Sequence, residues 1–156
     1  MKFPTDDGLP RHLRAGANVF QEVGSDAVLE RVSQESELWI SRWTTAEFCS
    51  AAAFKIRRGD CDLVAANRSV QKMFEMVKSK ALQRADVITK DLETAGTLCL
   101  AYESGLRTAD ALHAAIAQKL GATLLTADQG LYHGCLHHHI ASELVIVSET
   151  SQKDLP

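Results

Sequence analysis

Apolar residues recur along this chain in short bursts, each closed by a glycine, a charged cap or a strand-like run. In GSDAVLERVSQES (24–36), Val28, Leu29 and Val32 lie on one helical face behind Ser25 as N-cap, which predicts a helix. ELWIS (37–41) is a short strand candidate. TTAEFCSAAAFKIRRGD (44–60) has helix formers, a basic last turn and Gly59 as its stop; DCDLVAANRSVQKMFEMVKSK (60–80) continues as a second helix capped by Asp60. ALQRADVI (81–88) is a weaker strand or edge candidate. Thr89 opens a helix closed by Gly105, and Thr108 opens TADALHAAIAQKLG, closed by Gly121. TLLTAD (123–128) and ELVIV (143–147) read as two further strands, and YHGCLHHHI (132–140) as a surface loop between them.

Strands alternating with helices predict an α/β fold, a small parallel β-sheet flanked by helices and joined by right-handed crossovers. At 156 residues the expectation is a single domain over 1–150, with residues 1–23 atypical and 151–156 a flexible tail.

The same pattern places three carboxylates at one edge. A helix over 108–120 runs about 20 Å one way, and the strand after it returns about 17 Å. Asp110, in the first turn of that helix, and Asp128, at the end of that strand, therefore both fall at the carboxyl edge of the sheet, where open parallel sheets bind ligands. Glu47, in the first turn of the helix after strand 37–41, follows the same logic.

Each acid has a local explanation. Thr44 and Glu47 have the spacing of a capping box, Asp110 suits the positive end of its helix, and Asp128 in DQG suits an Asx turn. Together, three acids at one edge repel one another and raise each other's pKa unless a cation neutralises them. A hard divalent ion, Mg²⁺ or Mn²⁺, fits an all-carboxylate donor set and supplies the chemistry of phosphodiester hydrolysis.

Composition adds an electrostatic asymmetry. Between Lys55 and Lys90, nine Lys or Arg against Asp60, Asp62, Glu75 and Asp86 leave +5, so the remainder of this chain of net charge −3 carries −8. Such a basic arm is either a solvated helix face or a surface for a phosphate backbone or acidic partner. With 46% apolar and 24% charged residues and no long apolar run, the expectation is a cytoplasmic protein without membrane contact. Cys49, Cys61, Cys99 and Cys135 stand singly and read as small buried thiols.

The strings TTAEFCSA, LRTADALHAA and LLTADQGL resemble acidic motifs of the PIN-domain nucleases, most closely the VapC-type toxins of bacterial toxin–antitoxin pairs, over roughly residues 24–147. The resemblance implies a metal-dependent endoribonuclease, the toxin of a type II system, with RNA as substrate, a cognate antitoxin beside the basic arm and a homodimer. It implies Glu47, Asp110 and Asp128 as metal-site acids, with Thr126 as a supporting hydroxyl. The family's first strand ends in another Asp; here Asp6 stands nearest that place and Asp7 second, but Pro4, Gly8, Pro10 and Gly16 break the expected strand and helix. The alternative is therefore a catalytically impaired PIN-like module that dimerises or binds an antitoxin.

Three side features remain. His133, Cys135, His137, His138 and His139 invite a zinc reading, but adjacent histidines do not converge from a regular element. His113, three residues after Asp110, either faces the site or packs in the core. Trp39 is a core candidate and Trp43 a partly exposed neighbour of the site.

Overall fold

A computed structural model describes residues 13–15, 31–33 and 35–146. Strands β1 (Leu13–Ala15), β2 (Leu38–Ser41), β3 (Gln83–Ala85), β4 (Thr123–Thr126) and β5 (Ser142–Leu144) pair in parallel in the order β3-β2-β1-β4-β5. The helices are α1 (Arg42–Arg58), α2 (Leu63–Lys78), α3 (Thr89–Cys99), α4 (Thr108–Leu120) and α5 (Gln129–His137), with a 3-10 turn over Tyr102–Ser104. The chain builds outward from β1 through β2 to β3, then crosses back to place β4 on the other side of β1. That reversal is a topological switch point at the carboxyl ends of the central strands, the place where open parallel sheets bind ligands.

Alternation along β2 fills both faces of the sheet. Ile40 packs with Met73 of α2 and Leu82, whereas Trp39 turns to the opposite cluster built by α3, α4 and α5. α4 is the buried centre of that cluster: every residue from Ala111 to Ala117 is buried, as expected of a helix without a polar face. No helix among the described residues is long and apolar enough to cross a membrane.

Local chemistry explains the boundaries, including those where sequence reading falls short. α1 begins at Arg42 because Ser41, the last residue of β2, is itself the N-cap; its Oγ accepts from the Thr44 N–H at 2.9 Å. Thr44 is thus inside the helix rather than its cap, and Glu47 lies in the second turn. α2 is capped by Asp62, which accepts from the Ala65 N–H at 2.8 Å, and not by Asp60, which pairs with Arg58. Gly59, Gly105 and Gly121 adopt left-handed φ values of 77°, 67° and 61° and stop their elements as expected, but the helix opened at Thr89 ends at Cys99, before the 3-10 turn.

α3 and α4 are clamped together by Asp91. Its buried carboxylate accepts from the Ile88 N–H at 2.9 Å and from Lys119 Nζ at 2.6 Å, and the same ammonium donates to the Asp86 carbonyl at 2.9 Å. At the other edge, Arg31 forms a bidentate pair with Glu143 of β5 at 2.5 and 2.8 Å. These contacts raise the Arg31 pKa further above its ordinary value, with Glu143 as the largest cause.

YHGCLHHHI, read above as a loop, is mostly helical: α5 runs to His137, with Leu131 and Cys135 buried one turn apart. Gly134 is what lets this helix close on the loop before α4. A Cβ there would lie 2.3 Å from Leu106 Cδ2 and 2.5 Å from Leu106 Cγ, with the Ser104 carbonyl at 3.2 Å. Gly134→Ala gains about 1 kcal/mol of helix propensity but loses roughly 1–3 kcal/mol to overpacking. The overpacking wins because the branch carbon Cγ, not a flexible tip, is in the way. The expected result is a lower melting temperature by calorimetry; a higher one would show that Leu106 repacks freely.

The predicted helix over 24–36 falls mostly outside the described residues, as do Asp6, Asp7 and the tail over 151–156.

Candidate functional site

Two strand ends and one helix start bring the candidate residues to the switch-point edge. β2 passes into α1 with no loop, so Ser41 and Thr44, both fully buried, sit at the carboxyl edge with their hydroxyls 2.8 Å apart. β4 ends at Thr126, also fully buried, whose Oγ1 accepts from the Asp128 N–H at 3.0 Å. Asp128 is the N-cap of α5, and its Oδ1 accepts from the Leu131 N–H at 3.0 Å. Asp110 enters from the first turn of α4, which has no side-chain cap at Arg107; the nearby Arg107 backbone N–H favours the ionised carboxylate. Asp110 does sit at the positive end of its helix, whereas Asp128 is a helix N-cap rather than an Asx-turn residue and the capping-box explanation for Glu47 does not hold.

Capping alone does not call for two carboxylates. Ser or Asn caps a helix as well as Asp and brings no charge. Here charge costs: the Asp110 carboxyl is held above the ordinary aspartate range, first by burial, then by the charge of Asp128 and, more weakly, that of Glu47, with His113 and the Arg107 N–H acting the other way. Asp110 is thus close enough to Asp128 and Glu47 to feel the charge of both.

Glu47 reaches this edge from the second turn of α1 and meets α4. His113 Nε2 lies 2.8 Å from Glu47 Oε2, and the imidazole is almost wholly buried. Of the two fates open to His113, the structure therefore gives both, a buried ring whose nitrogen faces a site acid. Ser41, Thr44 and the His113–Glu47 contact are the features that residue spacing misses; a serine closing a strand directly before a helix is the one signal that points to Ser41.

The donor set of Glu47, Asp110 and Asp128 fits a hard divalent ion in sign and chemistry, since oxygen donors without thiolate suit Mg²⁺ or Mn²⁺. Among the described residues no group of three or more His, Cys, Asp or Glu is drawn together as a ready-made cage. Asp128 caps the start of α5, Asp110 lies in the first turn of α4, and Glu47 lies against His113. The His-rich run builds no such group either: Cys135 is fully buried, and burial pushes its thiol up to about 12.

The amino-terminal strand differs from the expected one. β1 occupies Leu13–Ala15, downstream of Asp6, and in sequence it is followed by Gly16, Ala17 and Asn18 rather than by a carboxylate.

Comparison with known proteins gives a consistent picture. A family profile described as the PIN domain matches residues 16–135. No curated protein matches the sequence. The fold is similar to the solved structure of VapBC2 from Rickettsia felis, at 18% identity and TM-score 0.64 over 86% of this chain and 99% of that one. It is similar to VapBC-1 from nontypeable Haemophilus influenzae, at 16% identity and TM-score 0.62 over 85% and 97% of the two chains. It is also similar to PAE2754 from Pyrobaculum aerophilum, at 22% identity and TM-score 0.59 over 81% and 86%.

Proposed function

Because the chain belongs to the PIN domain family, we propose that it is a metal-dependent endoribonuclease, the toxin of a type II toxin–antitoxin pair. The observation that carries this reading is the placement of three acids at the switch-point edge, with the Asp110 carboxyl raised first by burial and then by the charges of Asp128 and Glu47. Glu47, Asp110 and Asp128 would hold Mg²⁺ or Mn²⁺, with Asp6 as a candidate fourth. When bound, such an ion lowers the pKa of water and stabilises charge on a phosphoryl oxygen.

The chain's own residues do the rest. Thr126 and the Asp128 cap fix the start of α5, so that Asp128 stays at the end of β4. The Ser41–Thr44 pair fixes the start of α1, and the Glu47 carboxylate lies against His113 of α4. Solved structures similar to this chain are of VapBC and FitAB pairs, some bound to DNA fragments, which supports an antitoxin partner here; an antitoxin-bound homodimer completes the reading.

The test is cleavage of a labelled oligoribonucleotide by chelator-stripped full-length protein. No cleavage without metal and recovery with Mn²⁺ or Mg²⁺ is the expected outcome; cleavage undiminished by chelation would end the metal-dependent reading. One observation favours the catalytically impaired module instead: no carboxylate follows β1 in the sequence through Asn18. Purified protein that binds its partner but never cuts RNA under any divalent ion would establish that alternative.

A further inference from the structure

Positions 43, 47, 54 and 58 of α1 are separated by four, seven and four residues, so their side chains leave the helix along one stripe. That stripe carries Trp43, the site acid Glu47, Phe54 and Arg58. Trp43 is 36% exposed and Phe54 50%, so two large aromatic rings on the acid's own stripe are left open to solvent. The Arg58 guanidinium lies over the Phe54 ring, 5.5 Å from its centroid, and Asp60 holds that guanidinium through a 3.1 Å contact to Nε. The aromatic and the arginine are therefore already stacked, which lowers the ordering cost to a ligand.

We propose that Phe54, layered with Arg58, is a stacking platform for an unpaired RNA base, and that Trp43 serves a second base on the other side of Glu47. The proposal rests on the nuclease reading and names how the substrate is held. Seven residues of helix separate Phe54 from Glu47, about 10 Å, or roughly three stacked nucleotides at ~3.4 Å each. Trp43 lies about 6 Å the other way. A strand whose phosphate sits at the acids therefore passes both rings.

The surrounding charge favours a polyanion: Lys55, Arg57, Arg68 and Lys72 are all exposed on α1 and α2. Side chains standing on a convex helix stack only on bases splayed out of a duplex, so the substrate class is single-stranded RNA or a loop. Every base has a π-face, so this platform positions the strand with little sequence preference.

The test uses full-length protein carrying Asp110→Asn, which keeps the RNA whole, and measures binding of a fluorescein-labelled adenylate dodecamer by anisotropy in Mg²⁺. Phe54→Ala and Phe54→Leu are expected to weaken binding about tenfold, while Phe54→Trp restores it. Phe54 is half exposed, and matched melting temperatures confirm that each variant folds. Leucine keeps the apolar area and loses the π-face, so a Leu variant that binds as tightly as Phe overturns the platform and leaves the stripe to a protein partner. No binding of the dodecamer by the Asp110→Asn protein overturns it as well. Binding that depends on Phe54, in a protein whose unsubstituted form never cuts RNA, removes the nuclease reading and leaves the platform standing.

Discussion

Asp110→Asn is expected to lower RNA cleavage at least about a hundredfold while leaving the metal-free protein as stable as the parent or more so. Loss of a group that only supports a metal ligand already costs about 10–100-fold, so loss of a proposed ligand sets the larger figure. The stability half follows from the sign of the pKa shift. Asp110 titrates above its ordinary value because burial and the charge of Asp128 disfavour its ionised form in the folded state. Between the unfolded and the raised folded pKa the native state binds more protons than the unfolded one, so stability falls as pH rises through that window. Above it, the ionised carboxylate stands as a net cost. Asn keeps the shape and the acceptor for the Arg107 N–H and removes the charge. The melting temperatures of parent and variant, measured with chelator present, should differ most near neutrality and converge as pH drops below the ordinary aspartate range. Cleavage by Asp110→Asn at the parent rate would remove Asp110 from the site. A variant that melts far below the parent at pH 7 would mean that the carboxylate is a structural cap and little else.

The part of this site that sequence reveals is the part built from consecutive elements. α4, Gly121 and β4 follow one another without a long loop, so helix length and strand length alone return Asp128 to the level of Asp110. Glu47 is reached for a reason other than its spacing suggests. Thr44 and Glu47 have the look of a capping box, but Ser41 caps the helix from within β2, which moves the cap back by three residues and places Glu47 in the second turn, against His113. A strand that runs straight into a helix offers no loop residue to mark the change.

Two other elements are invisible to pattern for physical reasons. β1 has the sequence Leu-Arg-Ala, with no alternation to recognise, and is a strand because β2 and β4 pair with it on both sides. α5 holds two glycines and three non-capping histidine or tyrosine positions in nine residues, a composition of poor helix formers. Its helix rests on tertiary terms: the Asp128 cap, Leu131 and Cys135 buried on one side, and the close approach of Gly134 to Leu106. Periodicity also fails in α4, for the opposite reason; with Ala111 through Ala117 all buried there is no polar face to give a period.

The same charge cost sets the second large effect, on metal binding. An ion that binds only the folded state at a hundred times its dissociation constant stabilises by about 2.7 kcal/mol. For a chain of this size that is roughly 5–10 °C in midpoint. Mg²⁺ or Mn²⁺ titrated into the stripped protein should therefore raise the melting temperature by several degrees, and the gain includes relief of the repulsion that, after burial, keeps Asp110 above its ordinary pKa. Because ligands bind ionised, the shift should shrink as pH falls and Asp110 takes up its proton. In Asp110→Asn both the donor charge and the repulsion are gone, so the shift should largely vanish. Asp86 supplies the control: it is exposed, paired with Arg42 and held below the ordinary aspartate range by that pair, so Asp86→Asn should leave the metal response unchanged. A parent indifferent to divalent ions would mean that three carboxylates at this edge do not suffice without one after β1, and would turn the reading to the impaired module. An equal shift in parent and Asp110→Asn would place the ion elsewhere on the molecule and leave the edge acids as helix caps.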